Sequence, residues 1–503
     1  MGQDISKSYT PPPISFQDCL VNGQIDLGRY RLYSKRTNSD TDYINTGVLK
    51  RKSNHEEDRS TKRTKHSRSI KRHPIMLHSD DGTARSVNYK DSVWYCLYVS
   101  SPPEGTRLNK FFRRRFRLPY SEFIDLAEEL ISNELFSRWT RPDCSGSKPT
   151  DYRLLLLGSL RYLARSLTFD DLEEYTFVSA EVHRVFFFAF IEYGSTILYK
   201  KHVTIPAHNM SYSSTTKLFH QAGLNGCLGS SDGTHVGMQR CPAWATINHK
   251  GFKLAIPSRN YNATVTHCHQ IMGTTFGNPG TWNDKTLVLF DELIRGVHES
   301  KIFYDYEFSL YELDSNNNIV EIVYKGAWFI VDNGYLDWSC TVPPMKHPVT
   351  YEEIRFSEWI ESMRKDIECT FGIMKCRFAI LKNGIRLESI SQCDQVWRTC
   401  CALHNKLLIH DELDKGWEDG TSIYNEWDSI SSVPFSVQRL SRHPSESNSI
   451  RRTDYPKNYF KKYTVDGKRV VAKMPLKVFQ ERLIHNFDIR FKNNDIKWPK
   501  RKS

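Results

Sequence analysis

Hydrophobic and polar residues follow four different patterns along the chain, and each pattern predicts a different kind of structure. Residues 1–104 are polar and interrupted by prolines, without sustained periodicity, which predicts a disordered arm. Residues 105–221 place apolar side chains at helical spacing and predict a helical domain. Residues 222–410 alternate short β-like runs with helical runs, which predicts an α/β domain. Residues 411–503 turn polar again and predict a basic C-terminal tail.

Three amphipathic segments dominate the helical region, and their order is that of a helix-turn-helix. A long helical run, a short one, a turn and a second long run are DYRLLLLGSLRYLARS, TFDDLEEYT and SAEVHRVFFFAFIEY. A DNA-reading role is one interpretation. Ordinary helical packing is the other, because VFFFAFI is typical of a buried segment. Just upstream, Arg113, Arg114 and Arg115 are candidate DNA-binding residues.

Four acidic residues in the α/β region stand at positions where a fold holds side chains rigidly. Asp232 ends the run CLGSSD, and Asp332 ends the β-like run AWFIVD before a turn. Glu368 lies inside the helical run 355–378. Asp284 precedes another helical run, where it is expected to cap the helix. Turn residues and a surface helix acid are the structural alternatives, since spacing alone proves little among 58 acids.

Carboxylates converging from separate elements suit phosphodiester chemistry. Two divalent ions about 4 Å apart can activate the attacking oxygen and stabilise the leaving one, and Mg²⁺ prefers oxygen ligands. Arg364 lies four residues before Glu368 and Lys375 lies seven after it, so both are candidates to bind the DNA phosphates from the same helix face.

The charge distribution favours nucleic acid as a partner. The chain has 70 Lys and Arg against 58 Asp and Glu, a net charge of +12. A basic tract at 50–73 and the last 53 residues carry much of this excess, which predicts nuclear localisation and nucleic-acid contact. No apolar run is long enough to cross a bilayer, so no membrane association is expected.

Two other groups of residues could form metal-binding patterns. Cys393, Cys400, Cys401 and His404 lack the paired-cysteine spacing of a structural zinc site, and core packing is the favoured interpretation. His267 and His269 would share one strand face, but no further ligand motif stands nearby.

Six stretches, in order, make the α/β region similar to a known family. They are SSDGTHVGM, KGFKLAIPSRNYNATV, FGNPGTWNDKTLV, FIVDNGYL, SMRKDIECTFGIMKCRF and CCALHN. In these stretches the chain resembles the PIF/Harbinger DDE transposases, the group that includes the Harbinger-derived nucleases. The resemblance implies a ribonuclease H-like fold in which Asp232, Asp332 and Glu368 bind Mg²⁺ or Mn²⁺, with Asp284 as a fourth ligand. The sequence departs from the family pattern at residues 280–284, where the usual histidine is missing.

The resemblance implies a nuclear transposase that cuts DNA at the transposon ends and joins it to a target. It also implies a homo-oligomer, because two ends require two active sites, and a separate Myb-like DNA-binding partner. The alternative is a domesticated, non-catalytic DNA-binding or chromatin adaptor on the same fold. A nuclease that cleaves without transposing is a third reading of the same acids.

Overall fold

The structure is a computed structural model. It describes residues 88–414, apart from 102, 143, 145, 147, 206–210 and 304–305, and residues 474–496, together with the backbone of short strand pairs within 20–25, 76–86 and 463–470. The chain divides into two compact units, residues 1–72 and 73–503, and the first of them contains a two-stranded hairpin. The predicted basic tract lies outside the described residues. The four candidate acids all lie in the second unit.

The strands are numbered in chain order. They are β1 (Leu20–Val21), β2 (Gln24–Ile25), β3 (Met76–His78), β4 (Ala84–Ser86), β5 (Cys227–Gly237), β6 (Ser258–Val265), β7 (Ile271–Thr274), β8 (Asn278–Pro279), β9 (Glu307–Leu313), β10 (Ile319–Lys325), β11 (Trp328–Ile330), β12 (Thr341–Val342), β13 (Tyr463–Val465) and β14 (Lys468–Val470).

A six-stranded sheet forms the centre of the α/β region. Its order is β12-β11-β5-β6-β7, and β8 pairs with β6. The strands β12, β11 and β5 run parallel to each other, whereas β5, β6 and β7 are antiparallel neighbours. The sheet is therefore mixed, and the predicted α/β class is confirmed. β9 and β10 form a separate antiparallel hairpin.

The helices are likewise numbered along the chain. They are α1 (Arg107–Phe116), α2 (Tyr120–Ile131), α3 (Tyr152–Arg165), α4 (Phe169–Thr176), α5 (Ala180–Tyr193), α6 (Tyr199–His202), α7 (Ser211–Gln221), α8 (Thr246–His249), α9 (Asp284–Val288), α10 (Glu292–His298), α11 (Tyr351–Arg377), α12 (Ala379–Asn383), α13 (Ile390–His410) and α14 (Leu476–Lys492). The longest, α11, begins with a capping box between Thr350 and Glu353, which satisfies two backbone N–H groups at its start.

The three segments predicted as a helix-turn-helix form helices α3, α4 and α5. The last of them is buried on its apolar positions, with Phe186 and Phe190 wholly inside the core. Its exposed positions include Glu181 and Glu192, and Arg184 is paired with Glu181 at 2.6 Å. Exposed acids repel phosphate, and an arginine paired with an acid attracts it only weakly. Helix α5 is therefore better explained as a packing helix than as a DNA-reading one.

One hydrophobic core runs through the helical region and into the α/β region. The same cluster contains Leu154 and Phe186 from the first and Ile367 and Trp397 from the second. The boundary predicted at residue 221 is therefore a change of secondary structure and not a gap in packing. Trp94 and Tyr98 also lie in this core, so the packed part begins before residue 105, where the predicted arm ends.

The C-terminal region corrects the sequence prediction of a tail. Helix α14 is buried through an apolar stripe that includes Phe479, Leu483 and Phe487, and it packs on α11 and on the β9–β10 hairpin. The stripe has helical spacing, but cations on the opposite face dominate the composition and hide it. Within the described part of the chain, no helix is both long and apolar enough to span a membrane.

Candidate active site

Two of the predicted acids meet because of the register between parallel strands. Ile330 on β11 lies opposite Ser230 on β5. Two residues further along each chain come Asp332 and Asp232, so their side chains emerge at neighbouring positions, since adjacent strands lie about 4.8 Å apart. Asp232 does not end its strand as the sequence predicted. The pairing with β6 continues through Gly237, so the aspartate lies within β5.

Asp284 lies close to Asp332, but it is not a helix cap. We call the place where Asp232, Asp332 and Asp284 lie the carboxylate edge of the sheet. The side chain of Asn283 caps α9 by accepting a hydrogen bond from the backbone N–H of Thr286, and Asp284 is the first residue of the helix. The cap prediction was wrong by one residue, and the carboxylate of Asp284 is left to point elsewhere. A Cβ atom placed on Gly334 would lie 2.9 Å from Asp284 Oδ2 and 2.9 Å from Asp332 Oδ1. At most twice that distance separates these two oxygens.

Gly233 gives space to two further oxygens. A Cβ atom there would lie 3.1 Å from Asp284 Oδ1 and 3.3 Å from Asn260 Oδ1. Both oxygens are buried, and neither has a hydrogen-bond donor among the described residues. The amide nitrogen of Asn260 donates to the carbonyl of Trp282, at 3.3 Å, which turns the amide oxygen toward the glycine. Buried acceptors without donors are costly, so they mark a place suited to a cation or to water.

Glu368 reaches the edge through an arginine. On α11, Arg364 contacts Glu368 Oε1 at 2.7 Å, Glu361 Oε1 at 2.8 Å and Asp232 Oδ2 at 3.3 Å. One guanidinium thus lies between the strand acid and the helix acids. The side chain of Glu368 is 48% exposed, so it is the most accessible of the four carboxylates and the least fixed by packing.

Burial and mutual repulsion raise the pKa values of the acids at this edge. Burial raises the pKa of Asp232 to about 6, and the charges of Asp332 and Asp284 add to the rise, whereas the Gly233 N–H and Arg364 oppose it. Burial also raises the pKa of Asp284, with Lys253 opposing and Asp332 reinforcing the shift. The protein thus neutralises the negative charge of these carboxylates only in part. A cation that binds here would relieve the remaining repulsion, which favours its binding.

A buried hydrogen-bond network supports the edge from below. The hydroxyl of Tyr335, close behind Asp332, donates to Asn262, and the amide of Asn262 donates to Asp291 at 2.7 Å. Asp291 in turn caps α10 by accepting from the N–H of Ile294. The network joins β6 to the turn after β11 and so holds the strand end that carries Asp332 in place.

The predicted DNA-binding cations fall into two groups. Lys375 lies beside the carboxylate edge, where its ammonium donates to Thr234 of β5 at 2.9 Å, and burial lowers its pKa.

The second group lies elsewhere. Arg113 and Arg114 line a separate cavity of about 450 Å³. Arg115 instead donates to the hydroxyl of Tyr98 at 2.6 Å. Arg377 at the end of α11 lines the same cavity, about 14 Å along the helix from Glu368 at 1.5 Å per residue.

The donor set fits a hard divalent cation, although the side chains stand apart. Within the described ranges, no three His, Cys, Asp or Glu side chains converge closely enough to hold a metal ion as they stand. The available donors are carboxylate and amide oxygens, which Mg²⁺ and Mn²⁺ prefer over nitrogen or sulfur. The unsatisfied oxygens of Asp284 and Asn260 are the structural observation in favour of the fit.

The other metal-binding patterns belong to the interior. Cys400, Cys401 and His404 are wholly buried, and His404 Nε2 contacts the carbonyl of His269 at 2.9 Å, which confirms core packing. His267 Nδ1 contacts Asp366 of α11 at 2.6 Å and is equally buried.

Sequence reasoning missed three residues of the site. Asn260 and Lys253 lie in the stretch that carried the family resemblance, but an asparagine in a strand and a lysine in a loop have no chemical signature of their own. Glu361 lies three residues before Arg364, on the same helix face. Its helical spacing was the signal that could have found it.

Comparison with known proteins places this site within a class. Residues 204–416, which include all four acids, match the sequence family described as "Plant transposon protein". The α/β region that carries the acids is therefore similar to this family.

A curated relative extends the comparison. The chain is 30% identical over 88 residues to the Mus musculus protein named "Putative nuclease HARBI1", an alignment that covers 17% of this chain and 25% of the relative. The match thus spans a quarter of that relative's length. Together the two similarities confirm the resemblance to the Harbinger-type transposases and the nucleases derived from them. No solved structure matches the chain.

Proposed function

We propose that this protein is a metal-dependent DNA nuclease of the Harbinger DDE type, which cuts DNA strands and joins the freed 3′ hydroxyl to a target. The observation that carries the proposal is that Asp232, Asp332 and Asp284 lie at one edge of the mixed sheet, with Glu368 connected to Asp232 by Arg364. The strand order and the position of the acids are compatible with a ribonuclease H-like catalytic domain, which is the finer fold assignment we propose.

Each acid has a separate task in this proposal. Asp232, Asp332 and Glu368 hold the divalent ions, and Asp284 serves as the auxiliary ligand. When bound, Mg²⁺ or Mn²⁺ would supply the positive charge that activates the attacking oxygen and stabilises the leaving one. Arg364 and Lys375 neutralise the phosphodiester from the side of helix α11. The side chain of Arg364 is 13% exposed, and Lys375 is half-buried.

The wider setting follows from charge and symmetry. The excess of cations supplies salt-dependent affinity for DNA that does not depend on sequence, and the basic tract at 50–73 directs the protein to the nucleus. Acting on both transposon ends requires at least two copies of the active site, so we propose a homo-oligomer. A Myb-like partner protein would recognise the end sequences.

A second candidate function is a non-catalytic DNA-binding or chromatin adaptor on the same fold. The observation that favours it is the position of Arg364, whose guanidinium already neutralises both Asp232 and Glu368. In an adaptor this ion-pair network would replace the metal permanently. In a nuclease it would be displaced or rearranged when ions bind.

Nicking of supercoiled plasmid DNA in the presence and absence of Mg²⁺ or Mn²⁺ separates the two functions. The wild-type protein is expected to nick only with metal, and Asp232→Ala and Glu368→Gln are expected to abolish nicking without loss of DNA binding. Glu358→Gln is the matched control for the helix variant, because Glu358 is exposed on a different face of α11.

Two results decide against the nuclease. If Asp232→Ala and Glu368→Gln cut as fast as the parent, the assigned acids are not the active site. If the wild-type protein binds DNA and never nicks it with either metal, the adaptor is the better description.

A further inference from the structure

Apolar side chains point into solvent on a loop beside the carboxylate edge. We define the apolar loop as residues 243–253, which contain a short turn at Ala243–Ala245 and helix α8. Trp244, Ile247 and Phe252 are 58%, 85% and 96% exposed, whereas the polar His249 is buried. The usual arrangement of apolar inside and polar outside is thus inverted in this loop.

The apolar loop is held firmly and is not a flexible excursion. The hydroxyl of Thr281 donates to the carbonyl of Asn248 at 2.8 Å. Gly251 packs so closely on Gly280 that a Cβ atom would collide with its carbonyl oxygen. The ring of His249 contacts the carbonyl of Ala245 at 2.9 Å from inside. Because Thr281 lies three residues before Asp284, the loop is fixed relative to the active-site edge.

Cations accompany the exposed apolar groups. Lys250 and Lys253 are exposed on the same loop, and Lys253 lies close enough to Asp284 to oppose the rise of its pKa. From Gly233 to Asn283 the sequence contains no Asp or Glu. The apolar loop is therefore apolar and positive, and neither the loop nor the chain segments on each side of it contribute an acid.

Nucleic acid is the partner that matches both features. Phosphates pair with lysines, and the faces of unpaired bases stack on exposed aromatic side chains whatever their sequence. An apolar protein partner would match Trp244, Ile247 and Phe252 but would have to bury two lysines. A base that remains stacked in a duplex has no free face on which an aromatic side chain could stack. The DNA that binds this loop must therefore be locally unpaired.

We infer that Trp244, Ile247 and Phe252 form a wedge that contacts unpaired bases next to the phosphodiester at the carboxylate edge, while Lys250 and Lys253 bind the flanking phosphates. The position of the phosphodiester rests on the proposed function, but the contact with bases requires neither metal nor cleavage. The wedge holds the strands apart where one of them must enter the site.

The test is DNA binding by the full chain without divalent metal. The probes are a labelled duplex and the same duplex with a short central run of mismatched bases that includes 2-aminopurine. We expect the wild-type protein to prefer the mismatched DNA and to quench its 2-aminopurine fluorescence by stacking. Trp244→Ala and Phe252→Ala should each weaken binding to the mismatched DNA about 5- to 10-fold and leave binding to the duplex almost unchanged.

Two further variants make the comparison specific. Phe252→Trp should keep both the preference and the quenching, because it preserves an aromatic face. Tyr351→Ala is the matched control, since Tyr351 is an aromatic side chain 82% exposed at the start of α11, and it should behave as the parent does.

Three results would overturn the wedge. The first is that Trp244→Ala and Phe252→Ala bind both DNAs as the parent does. The second is that the parent binds neither DNA or shows no preference. The third is that the variants convert an oligomer into a monomer in sedimentation with base quenching unchanged, because the loop then contacts a second copy. A parent that prefers mismatched DNA but never nicks with metal would refute the nuclease and retain the wedge.

Discussion

The middle and the C-terminal end of one helix, α11, border regions of opposite charge. Around the middle of α11, Arg364 and Glu368 face the acids of the sheet edge, where burial and repulsion raise the pKa of Asp232 to about 6. At its C-terminal end, Arg377 lies in a cavity lined also by Lys110, Arg113 and Arg114, where burial and neighbouring cations lower its pKa to about 10.

The difference lies in how much compensation the protein itself supplies. At the acidic edge one arginine serves three carboxylates, and two buried oxygens have no donor in the described structure. In the basic cavity one acid, Asp411, pairs with Arg113 at 2.5 Å. Each region therefore leaves charge of one sign in excess, the first suited to a cation and the second to an anion such as phosphate. Four experiments separate these roles.

The largest effect is expected from Asp332→Asn. Metal-dependent nicking should fall about a thousandfold, since a lost ion ligand removes several kcal/mol of transition-state stabilisation. The melting temperature should stay the same or rise, because a carboxylate that repels Asp232 is gone. The structural counterpart is Asp394→Asn, which leaves the buried Arg259 without its partner at 2.6 Å and should cost about 3 to 5 kcal/mol of stability. Equal destabilisation in both variants would contradict the functional assignment of Asp332.

The pH dependence of stability sharpens the comparison next. Because the pKa of Asp232 is raised from 3.8 to about 6, the native state binds more protons than the unfolded state between these values. Stability contributed at this position is therefore lost as the pH rises from about 4 to about 6, by roughly 1.4 kcal/mol per pH unit. Asp232→Asn should gain stability relative to the parent across this window, reaching about 3 kcal/mol, when both are unfolded in urea without metal. If the difference in stability between Asp232→Asn and the parent is the same at all pH values, the pKa of Asp232 is not raised in the native state.

A third experiment asks whether Arg364 occupies the place of the cation. Arg364→Gln should lower the melting temperature without metal, and millimolar Mg²⁺ should raise it more in the variant than in the parent, because the ion replaces the lost charge. Arg355→Gln is the control on the same helix, since Arg355 pairs with Asp488 at 3.1 Å. The Arg355→Gln variant should be less stable than the parent, but Mg²⁺ should shift its melting temperature by the same amount as it shifts that of the parent. The same Mg²⁺ response in both arginine variants would rule out a direct connection between Arg364 and the ion site.

The smallest effect is expected in the basic cavity. Arg114→Gln should reduce the slope of log affinity against log salt for duplex DNA by about one unit, which is about threefold in affinity between low and moderate salt. Arg113→Gln should change it less, because Asp411 already neutralises that guanidinium. Nicking by DNA-saturated enzyme should be unchanged in both. A slope unaffected by Arg114→Gln would mean that the cavity takes an anion other than the DNA backbone.

Local pattern was sufficient for much of the fold. The helices α3, α4 and α5, the long helix that carries Glu368 and the strand that carries Asp232 all form where periodicity predicts them. Local pattern failed where two signals overlapped. The apolar stripe of α14 is hidden by its cations, and Asn283 takes the cap expected of Asp284 because either residue type can accept the same hydrogen bond.

The sequence by itself determined which chemical groups the protein contains: carboxylates at strand and helix positions, an excess of cations, and six stretches that resemble the Harbinger transposases. Only the tertiary structure decided that the unsatisfied oxygen of Asn260 joins the acids, that Arg364 lies between two of them, and that an inverted loop is fixed beside them. The physical reason is that secondary structure follows from neighbours a few residues apart. These contacts join segments tens to more than a hundred residues apart, and strand register and core packing set the distances between them.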